Sequence, residues 1–193
     1  MIETLRQLRN RPQQHRKEGD LITGAHNQSA IATLVERTAR YVMLVHLPRQ
    51  KGYGLVKPTK NGPALAGYGA VTMKNALVRT FEPLPADLRR SLTWDRGKEM
   101  SAHALLTQEI GLPVYFADAK SPWQRGSNEH LNGLLRQYFP KGTDISRWST
   151  PEIQAVADII NNRPRGVQGW RTPAEAFADQ LSSVPKATVA STG

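Results

Sequence analysis

Residues 18–47 open with Glu18-Gly19-Asp20-Leu21-Ile22-Thr23, turn through Gly24-Ala25-His26-Asn27, and continue as Ile31-Ala32-Thr33-Leu34-Val35 and then Tyr41-Val42-Met43-Leu44-Val45-His46-Leu47. The apolar runs are short, β-branched or aromatic in content, and bounded by turn-forming residues, which is the pattern of strands rather than helices. Three in succession are expected to pair as an antiparallel meander.

Downstream the pattern changes. Pro48 stops the third run, and residues 49–69 mix Gly, Pro and Lys without a period, as a long basic loop does. Val71, Ala76, Leu77, Val78 and Phe81 predict a helix from Ala70, halted by Pro83 and Pro85. Ser91-Leu92-Thr93-Trp94 reads as a short strand that delivers Asp95 at its end. A helix is expected over Lys98–Ile110, and Pro113-Val114-Tyr115-Phe116 as a fifth strand. In the helix after it, at ~100° per residue from Glu129, Leu131, Leu134, Leu135 and Tyr138 fall about 140–240° away and form one apolar face. Asn132, Gly133 and Arg136 lie on the side of Glu129. Thr150-Pro151-Glu152 and Thr172-Pro173-Ala174-Glu175 carry the cap and first-turn proline of two further helices.

The expected architecture is α/β, with a mixed five-stranded sheet of three antiparallel strands followed by two parallel ones, flanked by helices. Residues 1–17, with Arg6, Arg9, Arg11, Arg16 and Lys17 and few apolar groups, read as a basic N-terminal arm. Residues 18–178 form the core, and 179–193 read as a disordered C-terminal tail.

The 193 residues contain 26 Lys and Arg against 16 Asp and Glu, a formal charge of +10 with a pI near 10.2. Such an excess attracts polyanions, and nucleic acid is the expected partner. With no cysteine there is neither a disulfide frame nor a thiolate metal site. No run is apolar enough to suggest a membrane span and no signal peptide is evident, so a cytoplasmic protein is expected. The five histidines have no zinc-type spacing.

Three acids stand out: Asp20, Asp95 and Glu129, the last two separated by 33 residues. Taken singly, Asp20 is a strand-edge acid, Asp95 in Asp-Arg-Gly a turn former, and Glu129 a residue suited to a helix start. Gathered together they would raise one another's pKa unless a cation sat between them. Asp118 is the substitute acid, with shaping the loop after the fifth strand as its ordinary role. Trp94 and Trp123 read as core or loop anchors rather than base-stacking groups.

The motifs Glu18-Gly19-Asp20-Leu21, Leu92-Thr93-Trp94-Asp95-Arg96-Gly97, Ser121 to Glu129, Arg136-Gln137-Tyr138-Phe139-Pro140 and Asn161-Asn162-Arg163-Pro164 together resemble the catalytic core of DDE transposases of the insertion-sequence-thirty family, relatives of retroviral integrases. The element order is that of the ribonuclease H-like fold these proteins share. The resemblance implies that Asp20, Asp95 and Glu129 are catalytic and hold two Mg²⁺ or Mn²⁺ ions, hard cations suited to carboxylate oxygens. Two such ions ~3.5–4 Å apart would activate an attacking oxygen and stabilise a leaving one, first to nick DNA and then to join its end to a target. It further implies DNA contacts through Arg136, Arg125, Asn132 and Arg163, transposon ends and target DNA as partners, and a homo-oligomer when assembled on DNA. Family members carry helix-turn-helix segments ahead of the core, whereas 19 residues precede Asp20 here. The alternative expectation is therefore a non-catalytic DNA-binding remnant of such a transposase. A nuclease acting on RNA in hybrids is a third reading, prompted by the fold alone.

Overall fold

The computed structural model describes residues 15–55, 65–118, 124 and 126–184. Strands β1 (Arg16–Thr23), β2 (Ala30–Glu36) and β3 (Val42–Leu47) form the meander, and β4 (Ser91–Trp94) and β5 (Val114–Phe116) extend it. The sheet order is β3-β2-β1-β4-β5. β2 pairs antiparallel with both β1 and β3, while β1–β4 and β4–β5 are parallel. The five-stranded mixed sheet is thus the expected one.

Every residue of β2 is buried, because helices cover both faces of the sheet; the strand is accordingly apolar but for Thr33 and Glu36. On one face Ala32, Leu34, Leu92 and Trp94 meet Met73, Leu77 and Phe81 of helix α1 (Ala70–Phe81) and Leu106 of α2 (His103–Ile110). On the other, Ile22, Ile31, Val35 and Leu44 meet Leu131 and Leu135 of α3 (Gly126–Leu135) and Ile153, Val156 and Ile160 of α4 (Thr150–Asn161). α5 (Pro173–Ser183) stacks Phe177 on Tyr41, ring centroids 4.3 Å apart. α4 and α5 each begin with a capping box, Ser149 with Glu152 and Thr172 with Glu175. Among the described residues no helix is long and apolar enough to cross a membrane.

Four boundaries differ from expectation. β1 starts at Arg16, so Arg16 and Lys17 belong to the sheet and not to the arm. Lys17 is wholly buried, its ammonium donating to the carbonyl oxygens of Leu88 and His15 opposite Glu36 in the β1–β2 register. A charge in the first residues looked solvated only because these partners lie far away in sequence. The helix expected over Lys98–Ile110 is a 3₁₀ turn at Lys98–Met100 followed by α2, with Glu99 turned back to accept the indole N–H of Trp94 at 3.0 Å. α3 ends at Leu135, ahead of Arg136 and Tyr138. α5 continues to Ser183, past the expected core limit at 178. Residues 1–14 of the arm, 185–193 of the tail, part of the 49–69 loop and Arg125 lie outside the described residues.

Candidate active site

The site is built where β4 ends beside the middle of β1. β1 and β4 pair as Arg16↔Ser91, Lys17↔Leu92 and Glu18↔Thr93. β4 ends one residue after that pairing, at Trp94, so Asp95 leaves β4 beside the β1 segment that holds Asp20, paired strands lying ~4.8 Å apart. Gly19 makes the approach possible: a Cβ there would sit 2.1 Å from Trp94 Cζ3, so the indole of β4 lies against the bare backbone of β1. Because side chains alternate along a strand, Glu18, Asp20 and Ile22 share the face opposite that indole.

α3 lies across this second face. Asp20 is half-buried; its Oδ1 accepts the Leu21 N–H at 2.8 Å and its Oδ2 accepts the Asn132 amide at 3.0 Å. The Asn132 carbonyl oxygen in turn accepts the Thr33 hydroxyl at 2.9 Å, and Thr33 is the residue opposite Asp20 in the β1–β2 register. Asn128, one turn earlier and buried, donates to Thr33 Oγ1 at 3.3 Å. Two asparagines spaced four apart thereby fasten the helix to the acid and to its cross-strand neighbour. Glu18, 1% exposed, accepts the Ser127 N–H at 3.1 Å and pairs with Arg37 at 3.0 Å. A carboxylate at the first turn of a helix meets the positive end of its dipole, so Glu18 holds the N-terminus of α3 in place.

Of the three acids, Asp20 lies within β1, Asp95 directly follows β4, and Glu129 is an exposed residue of α3 three positions before Asn132. Among the described residues no group of three His, Cys, Asp or Glu side chains is placed to hold a metal ion. The carboxylate donors suit a hard cation, yet the three acids do not form such a group in this arrangement. Asp118 binds Gln124, which accepts the Asp118 N–H at 2.8 Å and donates to its Oδ2 at 3.1 Å, in keeping with a loop-shaping role.

The residues expected to contact DNA divide similarly. Arg136 donates to the carbonyls of Thr23 and Phe139 at 3.3 and 3.4 Å, tying the end of α3 to the end of β1. Asn132 is engaged within the protein as described. Arg163 is exposed beyond α4. Asn161, in the same motif, is buried and bonds the backbone of Val42 twice, accepting its N–H and donating to its C=O, each at 2.8 Å. Its amide completes the hydrogen bonding of β3 as a strand would.

Comparison with known proteins adds family to this geometry. No family model matches the chain. It is 45% identical over 166 residues to the transposase of insertion sequence element IS1086 from Cupriavidus metallidurans, covering 86% of this chain and 44% of the relative. It is 43% identical over 173 residues to the transposase InsI of element IS30A from Escherichia coli, covering 90% of this chain and 40% of the relative. The chain belongs to the insertion-sequence-thirty transposase family. It spans less than half the length of these transposases. Among solved structures it is similar to the catalytic core domain of bovine immunodeficiency virus integrase, with TM-score 0.52 at 17% identity over 86% of this chain and 95% of that one. A chain of the simian T-cell lymphotropic virus intasome gives TM-score 0.57 at 17% identity, over 93% of this chain and 58% of that one. The fold is accordingly that of an integrase catalytic core, ribonuclease H-like.

Sequence reasoning passed over two members of the candidate site. Thr33 carries no motif of its own, and only its register opposite Asp20 reveals it. Glu18 was visible as the residue two before Asp20 in an alternating strand, a spacing that already puts both carboxylates on one face.

Proposed function

We propose that this chain is the catalytic core of a transposase that nicks DNA at transposon ends and joins the freed 3′ ends to target DNA. Asp20 and Asp95 are the paired catalytic carboxylates and Glu129 is the third. The observation that supports the reading is the parallel pairing of β1 with β4, the strand that Asp95 directly follows, beside the β1 segment that carries Asp20. The family relationship and the +10 charge support DNA as substrate.

Mg²⁺ or Mn²⁺, as two ions, would be held by Asp20, Asp95 and Glu129, all hard oxygen donors. When bound, these ions neutralise the acids and draw electron density from the phosphate oxygens. The chain's own groups do the rest. The Asn132 amide orients Asp20 through one oxygen, leaving the aim of the carboxylate set by Thr33 and α3. Glu18 fixes the start of the helix from which Glu129 projects. Assembly on DNA as a homo-oligomer, with Arg125 and Arg163 on phosphates, belongs to the same proposal.

Asp95→Asn tests it. The purified chain is given a duplex carrying element-end sequence with Mg²⁺ or Mn²⁺, and nicking and joining are followed on a gel while binding is followed by fluorescence anisotropy. Turnover is expected to fall at least a hundredfold with binding intact or tighter; turnover that survives the substitution refutes the assignment. The exposed position of Glu129 favours a second reading, a DNA-binding protein without turnover. That protein would bind with a Kd of about 10⁻⁴ to 10⁻⁶ M and strong salt dependence, and would cut nothing in either form.

A further inference from the structure

A cavity of about 520 Å³ opens beside the N-terminus of α3 and away from the acid pair. Its walls come from three places: Val35, Arg37, Arg40 and Val42 around the β2–β3 turn, Ser127, His130, Leu131 and Leu134 on α3, and Arg165, Gly166 and Val167 after α4. Among the described residues three arginines and a histidine line it, and no carboxylate does. Arg37 is committed to Glu18. Arg40 gives one N–H to Ser127 Oγ at 2.7 Å, leaving further guanidinium donors. Among the described residues the buried Nε of Arg165 has no hydrogen-bond partner. A buried donor without an acceptor is costly and calls for an explanation.

The backbone adds a second sign. Arg40 has φ 57°, a left-handed conformation that glycine or asparagine adopts at less cost than a long side chain. A strained residue whose guanidinium lies on a cavity wall points to a use for that guanidinium. The walls also carry Val35, Val42, Leu131, Leu134 and Val167. An inorganic anion would satisfy the arginines and leave this apolar surface wet. A ligand with an anionic group joined to a flat, largely apolar body satisfies both, and the volume lies within the range of small-molecule sites.

We propose that the cavity is a nucleotide pocket, in which Arg40 and Arg165 hold one phosphate of a DNA strand while its unpaired base lies against Val42, Leu134 and Val167. The inference rests on the reading of DNA as substrate. Glu18, which accepts the Ser127 N–H on the pocket wall, shares a strand face with Asp20 two residues on, and so links the pocket wall to the acid's strand. An unpaired nucleotide held there would fix the register of the strand across Asp20 and Asp95.

Isothermal titration of the whole chain with dAMP and, separately, with inorganic phosphate tests the pocket without requiring turnover. dAMP is expected to bind at least tenfold more tightly than phosphate, and Arg40→Gln and Arg165→Gln are each expected to weaken dAMP at least tenfold. Arg165 lies outside any sheet or helix, so its variant serves should Arg40→Gln disturb the turn; circular dichroism checks both folds. Equal affinity for the two ligands, no dAMP binding, or dAMP binding unaffected by either substitution in a folded protein overturns the proposal. Asp95→Asn is expected to bind dAMP as the parent does. A chain that binds dAMP but never cuts DNA loses only the catalytic reading, and one that cuts DNA but ignores dAMP loses only the pocket.

Discussion

Replacing Gly19 by alanine probes how the acid pair is set. A Cβ at this position would lie 2.1 Å from Trp94 Cζ3, 2.2 Å from Cε3 and 3.0 Å from Leu34 Cδ2. Non-bonded carbons settle at ~3.5–4.0 Å, so ring or strand must yield by roughly 1.5 Å. Trp94 is fully buried and its indole N–H is bonded to Glu99, which leaves β1 as the part that moves. Overpacking of this kind costs about 1–3 kcal/mol, and the reduced backbone freedom of alanine returns about 0.5–1 kcal/mol. With the contact this short, the upper end of the cost applies and the net loss is about 2 kcal/mol. In a chain of this size that lowers Tm by about 4–8 °C. Because Asp20 follows directly, turnover at a temperature where the variant is folded should also fall. Trp94→Phe removes Cε3 and Cζ3, so the double variant should recover part of the loss. Urea unfolding of the parent, both single variants and the double variant gives the coupling. A Gly19→Ala effect within 0.5 kcal/mol, or effects that simply add, would refute the reasoning.

Burial pushes the Lys17 ammonium down to about 8 from 10.5, partly opposed by Glu36. Below pH 8 both folded and unfolded chains carry the proton and the burial cost, about 3 kcal/mol, is fully present. From pH 8 to 10.5 the unfolded chain binds more protons, so this residue makes stability rise with pH, and Lys17→Met should remove that contribution; identical pH slopes for the two proteins in urea unfolding would contradict it. Asn161→Ala leaves the N–H and C=O of Val42 without the partners they have now. The expected loss is about 3 kcal/mol with duplex affinity unchanged at a temperature where both fold, and a loss below 1 kcal/mol would show the amide to be dispensable.

Much of the fold was legible because its signals are short-range. The strands announced themselves by β-branched runs between turns, α4 and α5 by cap and proline, and α3 by Leu131 and Leu135 at helical spacing. Boundaries were less legible where a distant partner decides them. Arg16 and Lys17 read as arm residues until β4 and Leu88 supply neighbours. Glu99 shortens a helix because Trp94 offers a donor. The candidate site divides in the same way, since Asp20 and Asp95 could be named from their motifs, whereas the tie from Asn132 to Thr33 could not.

What the sequence determined by itself was the set of acids, their spacing, the order of elements and the charge that favours DNA, all of which are properties of residue type and local period. Tertiary structure alone decided that β4 runs parallel beside β1, that Asn161 acts as a strand edge for Val42, and that Arg40 and Arg165 share a cavity. These depend on strand register and on groups as far apart as Val42 and Asn161, 119 positions apart in sequence. A side chain's role there follows from what packs against it, which no local pattern encodes.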